Sequence, residues 1–403
     1  MNDVKDKLEK TKSKDHKDHK EKKDDRNVTS NQETGVTEEV EELDATNVDV
    51  EDDDSLLAEL AEVDSEDDEI EFTDDDEEVI LEDEQKNTGI TRTAAKNFAP
   101  ATEDNPANFS IKFANTKKPL SGTINLCCIV LKWKDHKAAD SGQLSATARE
   151  AAKTYESLSN GELKVKYTVK IVDVGLNYAK KNLNKAEAKA VKTVNAQNKG
   201  PKYTMYALAN NNLKGGSNAG RIYAHLGAAR SLKHEMGHII GNPLDKRDQC
   251  LGHTGVLGKG AYDDGSSFMG KFPSSKITAS QKYHLGWFKP GEVALYNEGD
   301  PATDFKVQQL YADKTIDGTV RAVKIDRGDL PPMFFSAVNI FDKKANKSNP
   351  ACALHIAYGG GSQRVGSVFA KEREYAGIKA EVIEPDGGDG ETIVRISSVP
   401  RLK

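Results

Sequence analysis

Across the middle of the chain the spacing of apolar positions changes period several times, and each change marks an element. Thr123 to Trp133 is a β-rich apolar run suited to an inner strand. Ala146 to Leu158 carries Ala and Tyr at helical spacing and stops at Asn160-Gly161. Leu163 to Val174 alternates apolar with basic residues, the pattern of a strand with one wet face. Ala186 to Ala196 predicts a second helix and Tyr203 to Ala209 a third strand. Asn210-Asn211-Asn212 and Gly215-Gly216 predict a loop, and Arg221 to Leu226 an edge strand that an extended peptide could join by β-augmentation. The chain then enters a helix around His234, and a last helix precedes Trp287. Beyond Lys289-Pro290-Gly291, short β-like runs recur at Val320 to Ile325, Phe334 to Phe341, Ala351 to Ala357, Ile378 to Ile383 and Thr392 to Ile396. That spacing predicts a β-sandwich. Pro385 to Gly390 lacks the oxygen-ligand spacing of an EF-hand calcium loop and reads as a hairpin turn.

Ahead of this patterned region the chain has another character. Residues 38–84 hold 26 Asp or Glu and no Lys or Arg. The formal net charge of −8 therefore hides a body, residues 85–403, of about +17. Residues 1–106 are expected to be a disordered charged tail and linker, because so much like charge and so little apolar surface cannot offset chain entropy. Leu56, Leu57, Leu60 and Val63 lie at helical spacing inside it, as a solvated island or a short partner-binding helix. Order is expected to begin near Phe109, giving a domain over 107–295 and a β-rich region over 296–403. The opposed charges predict an intramolecular contact between acidic tail and cationic body; no nucleic-acid partner is expected.

No 7–15-residue apolar core follows the charged N-terminus, so no signal peptide is visible. No run approaches the roughly 18 apolar residues of a membrane span. An intracellular, particle-packaged or non-classically exported protein is the expectation. The four cysteines are too few for a disulfide framework, and Cys127-Cys128 reads as thiols on opposite faces of a strand.

The chemistry concentrates at His234-Glu235-Met236-Gly237-His238. On a helix, His234 and His238 leave one face a turn apart, which lets both imidazoles reach a single zinc ion at about 2.0–2.1 Å. Glu235, next to the first ligand, can take a proton from metal-activated water without competing for the metal. The competing interpretation is a buried helix whose histidines are satisfied by hydrogen bonds. A substrate carbonyl polarised at the metal would make the reaction peptide hydrolysis, with Glu235 passing the proton to the leaving amine.

Four segments in order carry a resemblance: His234 to Gly241, Leu251-Gly-His-Thr-Gly255, Tyr262 to Gly270, and Ala279 to Trp287. Together they resemble the gametolysin-like metallopeptidases, metzincin-type zinc enzymes with three histidine ligands, a catalytic glutamate and a methionine turn under the metal. The resemblance is specific over 234–287, thematic over 109–233, and does not reach the first hundred residues. It implies His234 and His238 as ligands, Glu235 as general base and Met269 as the turn methionine. The family's third-ligand position falls on Leu244, which cannot bind zinc. Either Asn242 to Cys250 is an insertion and His253 is the ligand, or Asp245 is. The flanking Leu251-Gly252-His253-Thr254-Gly255 favours His253, with Asp245 the alternative. Lys282 and His284 are expected on a helix surface or pocket wall.

The expected fold class is α+β: a zincin-like catalytic domain, a C-terminal β-sandwich and a disordered acidic N-terminal tail. The expected function is a zinc-dependent endopeptidase acting on protein or glycoprotein substrates. Two other classes stay open, a structural or adhesion module of the same fold with an idle site, and a charge-driven binding protein working through its tail.

Overall fold

The computed structural model describes residues 40–44 (backbone only), 118–209, 216–218, 221–224, 229–257, 259, 262–270, 274–342, 347–384 and 391–400. In chain order the elements are β1 (Val40–Asp44), β2 (Gly122–Lys132), α1 (Ser141–Leu158), β3 (Leu163–Asp173), α2 (Leu183–Gln197), β4 (Met205–Ala209), β5 (Gly216–Asn218), β6 (Arg221–Ala224) and α3 (Ala229–Ile239). There follow β7 (Thr254–Val256), α4 (Ala279–His284), β8 (Val293–Asn297), β9 (Thr303–Gln308), β10 (Ala322–Arg327), β11 (Leu330–Asp342) and β12 (Lys347–Tyr358). The last are β13 (Gly361–Arg364), β14 (Glu372–Tyr375), β15 (Ile378–Glu384) and β16 (Glu391–Ser398). Helices and several sheets make the described residues α+β, and those from Val40 onward belong to one compact unit.

The first sheet has the order β1-β3-β2-β4-β6-β5, with all pairs parallel except β5 against β6. β2 is central, and its run Leu126 to Leu131 is buried throughout because helices cover both faces. Even-numbered residues such as Leu126, Cys128 and Val130 pack with α1 and α3, while Cys127, Ile129 and Leu131 pack with α2. The adjacent cysteines thus lie on opposite faces, and burial pushes the Cys127 thiol up to about 12. α1 begins five residues earlier than its apolar spacing suggests, because Asp140 accepts hydrogen bonds from the Gly142 and Gln143 amides as N-cap.

Two parts of this sheet differ from expectation. β1 is a strand inside the stretch expected to be disordered: Val40–Asp44 pairs in parallel with Val169–Asp173. β6 is not an edge, since the polar segment Gly216–Asn218 pairs outside it as β5. The rest of the tail, its candidate helix at 55–63, the start of order near 109, the loop at 210–215, the end of the strand expected through 226, and the turn at 385–390 lie outside the described residues.

The second sheet, β7-β13-β12-β11-β10-β8, draws strands from both sides of residue 295. β7, immediately after His253, pairs in parallel with β13. The third sheet, β14-β15-β16-β9, shares one apolar cluster with the second, where Phe335, Leu354 and Ile356 meet Ile378, Val394 and Ile396. The opposite face of the second sheet meets α4 through Phe334, Ala322, Ala357 and Ala279. α4 is therefore enclosed. His284 is fully buried and Lys282 nearly so, with its ammonium over the rings of Phe288 and Tyr311. The expectation of a helix surface for these two residues is corrected. Among the described residues, no helix is long and apolar enough to cross a membrane.

Candidate metal centre

α3 brings His234 and His238 to one face, with Nε2 atoms 3.1 Å apart. His234 Nδ1 lies 2.9 Å from the Phe268 carbonyl and His238 Nδ1 2.9 Å from that of Leu251. A carbonyl only accepts, so each Nδ1 carries a proton, and in the neutral ring Nε2 then presents a lone pair. Two lone pairs facing each other across 3.1 Å repel unless a cation or a proton lies between them. Oriented imidazoles whose second nitrogen is held by a carbonyl are the usual outer support of a metal ligand.

His253 completes the group. The three histidines each offer a nitrogen within 4.8 Å of the others. A tetrahedral zinc site with bonds of about 2.0–2.1 Å sets its nitrogens about 3.3 Å apart, so the set fits after a small inward shift of one ring. Burial holds His238 below its ordinary range, opposed by the Leu251 carbonyl. Burial, then the neighbouring His238 and His234, hold His253 well below it. Uncharged imidazoles are the form that binds metal.

Asp245 is not in this group; it sits in the left-handed conformation after a 3-10 turn over Asn242–Leu244. Residues 242–250 make a side excursion instead. Gly241 is so close to the Lys246 carbonyl that a Cβ there would collide with it. Lys246 N–H donates to Gly241 O at 2.9 Å, and Leu251 N–H closes the loop on Gly237 O at 2.8 Å. The chain re-enters beside α3 at Leu251, whose carbonyl takes His238 and whose second neighbour is His253.

Met269 lies under α3, fully buried. Gly237, between the two helix ligands, makes room for it: a Cβ there would come 2.6 Å from Met269 Sδ and 3.2 Å from the Tyr155 hydroxyl. Tyr155 in turn donates to the Lys233 carbonyl at 2.6 Å. Glu235 is 8 % exposed and is not one of the three residues of the cluster. The Tyr262 ring stands 4.1 Å from His253, centroid to centroid, forming one wall.

Several supporting groups escaped the sequence reading. Gln281 on α4 is fully buried with both ends of its carboxamide used. Its Oε1 accepts from Ser267 Oγ (2.9 Å) and Thr278 N–H (3.1 Å). Its Nε2 donates to Gly252 O (3.0 Å) and Gly360 O (3.3 Å). Ser267 precedes Phe268, the carbonyl that orients His234, and Gly252 precedes His253. The spacing Thr278-x-x-Gln281 is a capping-box signature in the sequence, and that box is formed here. It gives no sign that the amide's other end reaches Gly252. Asp264, fully buried, meets His355 Nε2 at 2.8 Å, Ser266 Oγ at 2.8 Å and Arg364 at 3.6 Å. Burial alone would raise the Asp264 carboxyl, yet His355 and Arg364 hold it below the usual range. This cluster joins the segment before Met269 to β12 and β13.

Comparison with protein-family models, with curated proteins and with solved structures finds no match to this chain.

Proposed function

We propose that this chain is a zinc-dependent endopeptidase with a zincin-like catalytic region. His234, His238 and His253 would hold the ion and Glu235 would act as general base. The observation that carries the reading is the convergence of three imidazoles, two of them oriented by backbone carbonyls, with a carboxylate next in sequence to the first that is not itself in the cluster. When bound, zinc would supply Lewis acidity toward a peptide carbonyl and lower the pKa of water at the site. The protein's own part is distinct. The carbonyls of Phe268 and Leu251 orient both helix histidines, Gly237 and Met269 fill the floor, and Glu235 would accept a proton and return it to the leaving amine. The order of motifs over 234–287 resembles the gametolysin-like enzymes and supports the same assignment. Protein or glycoprotein is the substrate class, and the second and third sheets, which share one apolar cluster, would form the β-sandwich.

The test pairs metal analysis with hydrolysis of casein. Wild type is expected to bind one zinc per chain and to cleave casein. Glu235→Ala should keep the metal and lose at least about a hundredfold in rate, within the usual range for a general base. His253→Ala should lose the metal, and Asp245→Ala should retain both metal and activity. Bound zinc without hydrolysis would instead support the structural or adhesion module.

A further inference from the structure

The strand β1 is seated on a strongly basic flank. Residues 163–202, which build β3 and α2, hold ten lysines against two carboxylates, Asp173 and Glu187. Lys164, Lys166, Lys185 and Lys192 are exposed there. β1 adds to β3 in parallel, with Val40 opposite Val169, Glu41 opposite Lys170 and Leu43 opposite Val172. α2 also touches β1. The register sets Val40 and Leu43 against valines and Glu41 against Lys170, while Glu42 falls opposite Ile171 and Asp44 opposite Asp173, one like-charge pair at the strand's end. In the segment Glu38 to Asp44, five of seven residues are acidic. Opposite charges facing each other across strands support pairing, and a filled edge no longer offers its amides and carbonyls to other chains.

Position matters as much as charge. β1 closes the end of the sheet remote from β6, the strand that precedes the metal-binding helix. The docked strand therefore leaves the histidine cluster uncovered. Seventy-three residues separate Asp44 from Lys118, so the strand behaves as a tethered ligand at roughly millimolar effective concentration. We propose that the β3–α2 flank is a docking surface for acidic strands and that Val40–Asp44 is its occupant in cis. The proposal is independent of the metal-site reading. It makes the acidic segment a reversible edge cover whose hold weakens with salt, because the charges involved are screened at the surface.

The experiment uses the full chain. Glu41→Lys with Leu43→Pro opposes the charge and removes the strand's ability to pair. Hydrogen exchange at the amides of Val169–Asp173 that face β1 is expected to speed at least tenfold in this variant and not in β2. A fluorescein-labelled synthetic peptide of residues 38–50 should bind the vacated variant at least tenfold more tightly than wild type. That binding should weaken several-fold between about 0.05 M and about 0.5 M salt and on adding Lys166→Glu with Lys170→Glu. Unchanged exchange at 169–173 overturns the proposal, as does equal peptide binding by wild type and the vacated variant. Equal binding of a scrambled peptide would overturn it too, showing attraction by charge without a strand seat. Binding indifferent to salt and to the lysine reversals would remove the electrostatic basis.

Discussion

At the scale of single residues, the three histidines that could hold a metal ion are distinct from the groups that hold them in place. The first set was readable, because two histidines four apart with a glutamate between them is a local pattern. His253 was readable only through its flanking Leu251-Gly252 and Thr254-Gly255, since nothing in the sequence counts how far a side excursion travels. Gln281 was not readable, because its role depends on four partners spread from Gly252 to Gly360. Replacing it by Ala leaves the Gly252 carbonyl, next to His253, and the Ser267 hydroxyl, next to the Phe268 that orients His234, without this partner. Gln281→Ala is expected to weaken zinc binding by about 10–100-fold, measured by competition with a chelator. Circular dichroism should confirm that the variant is folded. Unchanged affinity in a folded variant would show that the ligands are placed without it.

Elements divide along a similar line. Long runs with a clear period, such as β2, β3, α1 and β12, were visible because burial on one or both faces imposes the pattern. β5, β7, β13 and β14 are three or four residues long and contain Gly-Ser-Asn, Thr-Gly-Val, Gly-Ser-Gln-Arg and Glu-Arg-Glu-Tyr. Such segments carry too few residues to show a period, and only their partners make them strands. β1 was hidden for the opposite reason, since its acidic composition argued for solvent and its register with β3 is a tertiary fact. One consequence at this scale concerns the junction between the segment before Met269 and the second sheet. Asp264→Asn removes the charge that His355 and Arg364 share in a buried place. A loss of about 3–5 kcal/mol is expected for breaking such a pair, read as a lowered midpoint in urea unfolding. A shift below about 1 kcal/mol would mean the cluster is dispensable.

The whole molecule has a pH dependence that follows from buried histidine. Burial pulls His284 down to about 4, opposed by its hydrogen bond to the Cys250 carbonyl and by Asp248. An unfolded histidine takes its proton near 6.5. Between these values the unfolded chain binds the extra proton, so stability is full at neutral pH and falls as pH drops from about 6.5 toward 4. The loss from this residue is on the order of 3 kcal/mol in all, with about 2 kcal/mol gone by pH 5. His284→Gln, which keeps a donor toward Cys250, should flatten the stability difference between pH 7 and pH 5 by that amount. An unaltered difference would place the dependence elsewhere. The path of the assembled chain also bears on the order of its synthesis. Ser362 N–H holds the His253 carbonyl at 3.1 Å, and β13 is the strand on which the segment after His253 rests. A chain emerging from the ribosome carries both helix histidines more than a hundred residues before this support arrives. The third imidazole gains this seat only once residue 362 has been made, so a shorter nascent polypeptide holds its three histidines less firmly than the folded chain does.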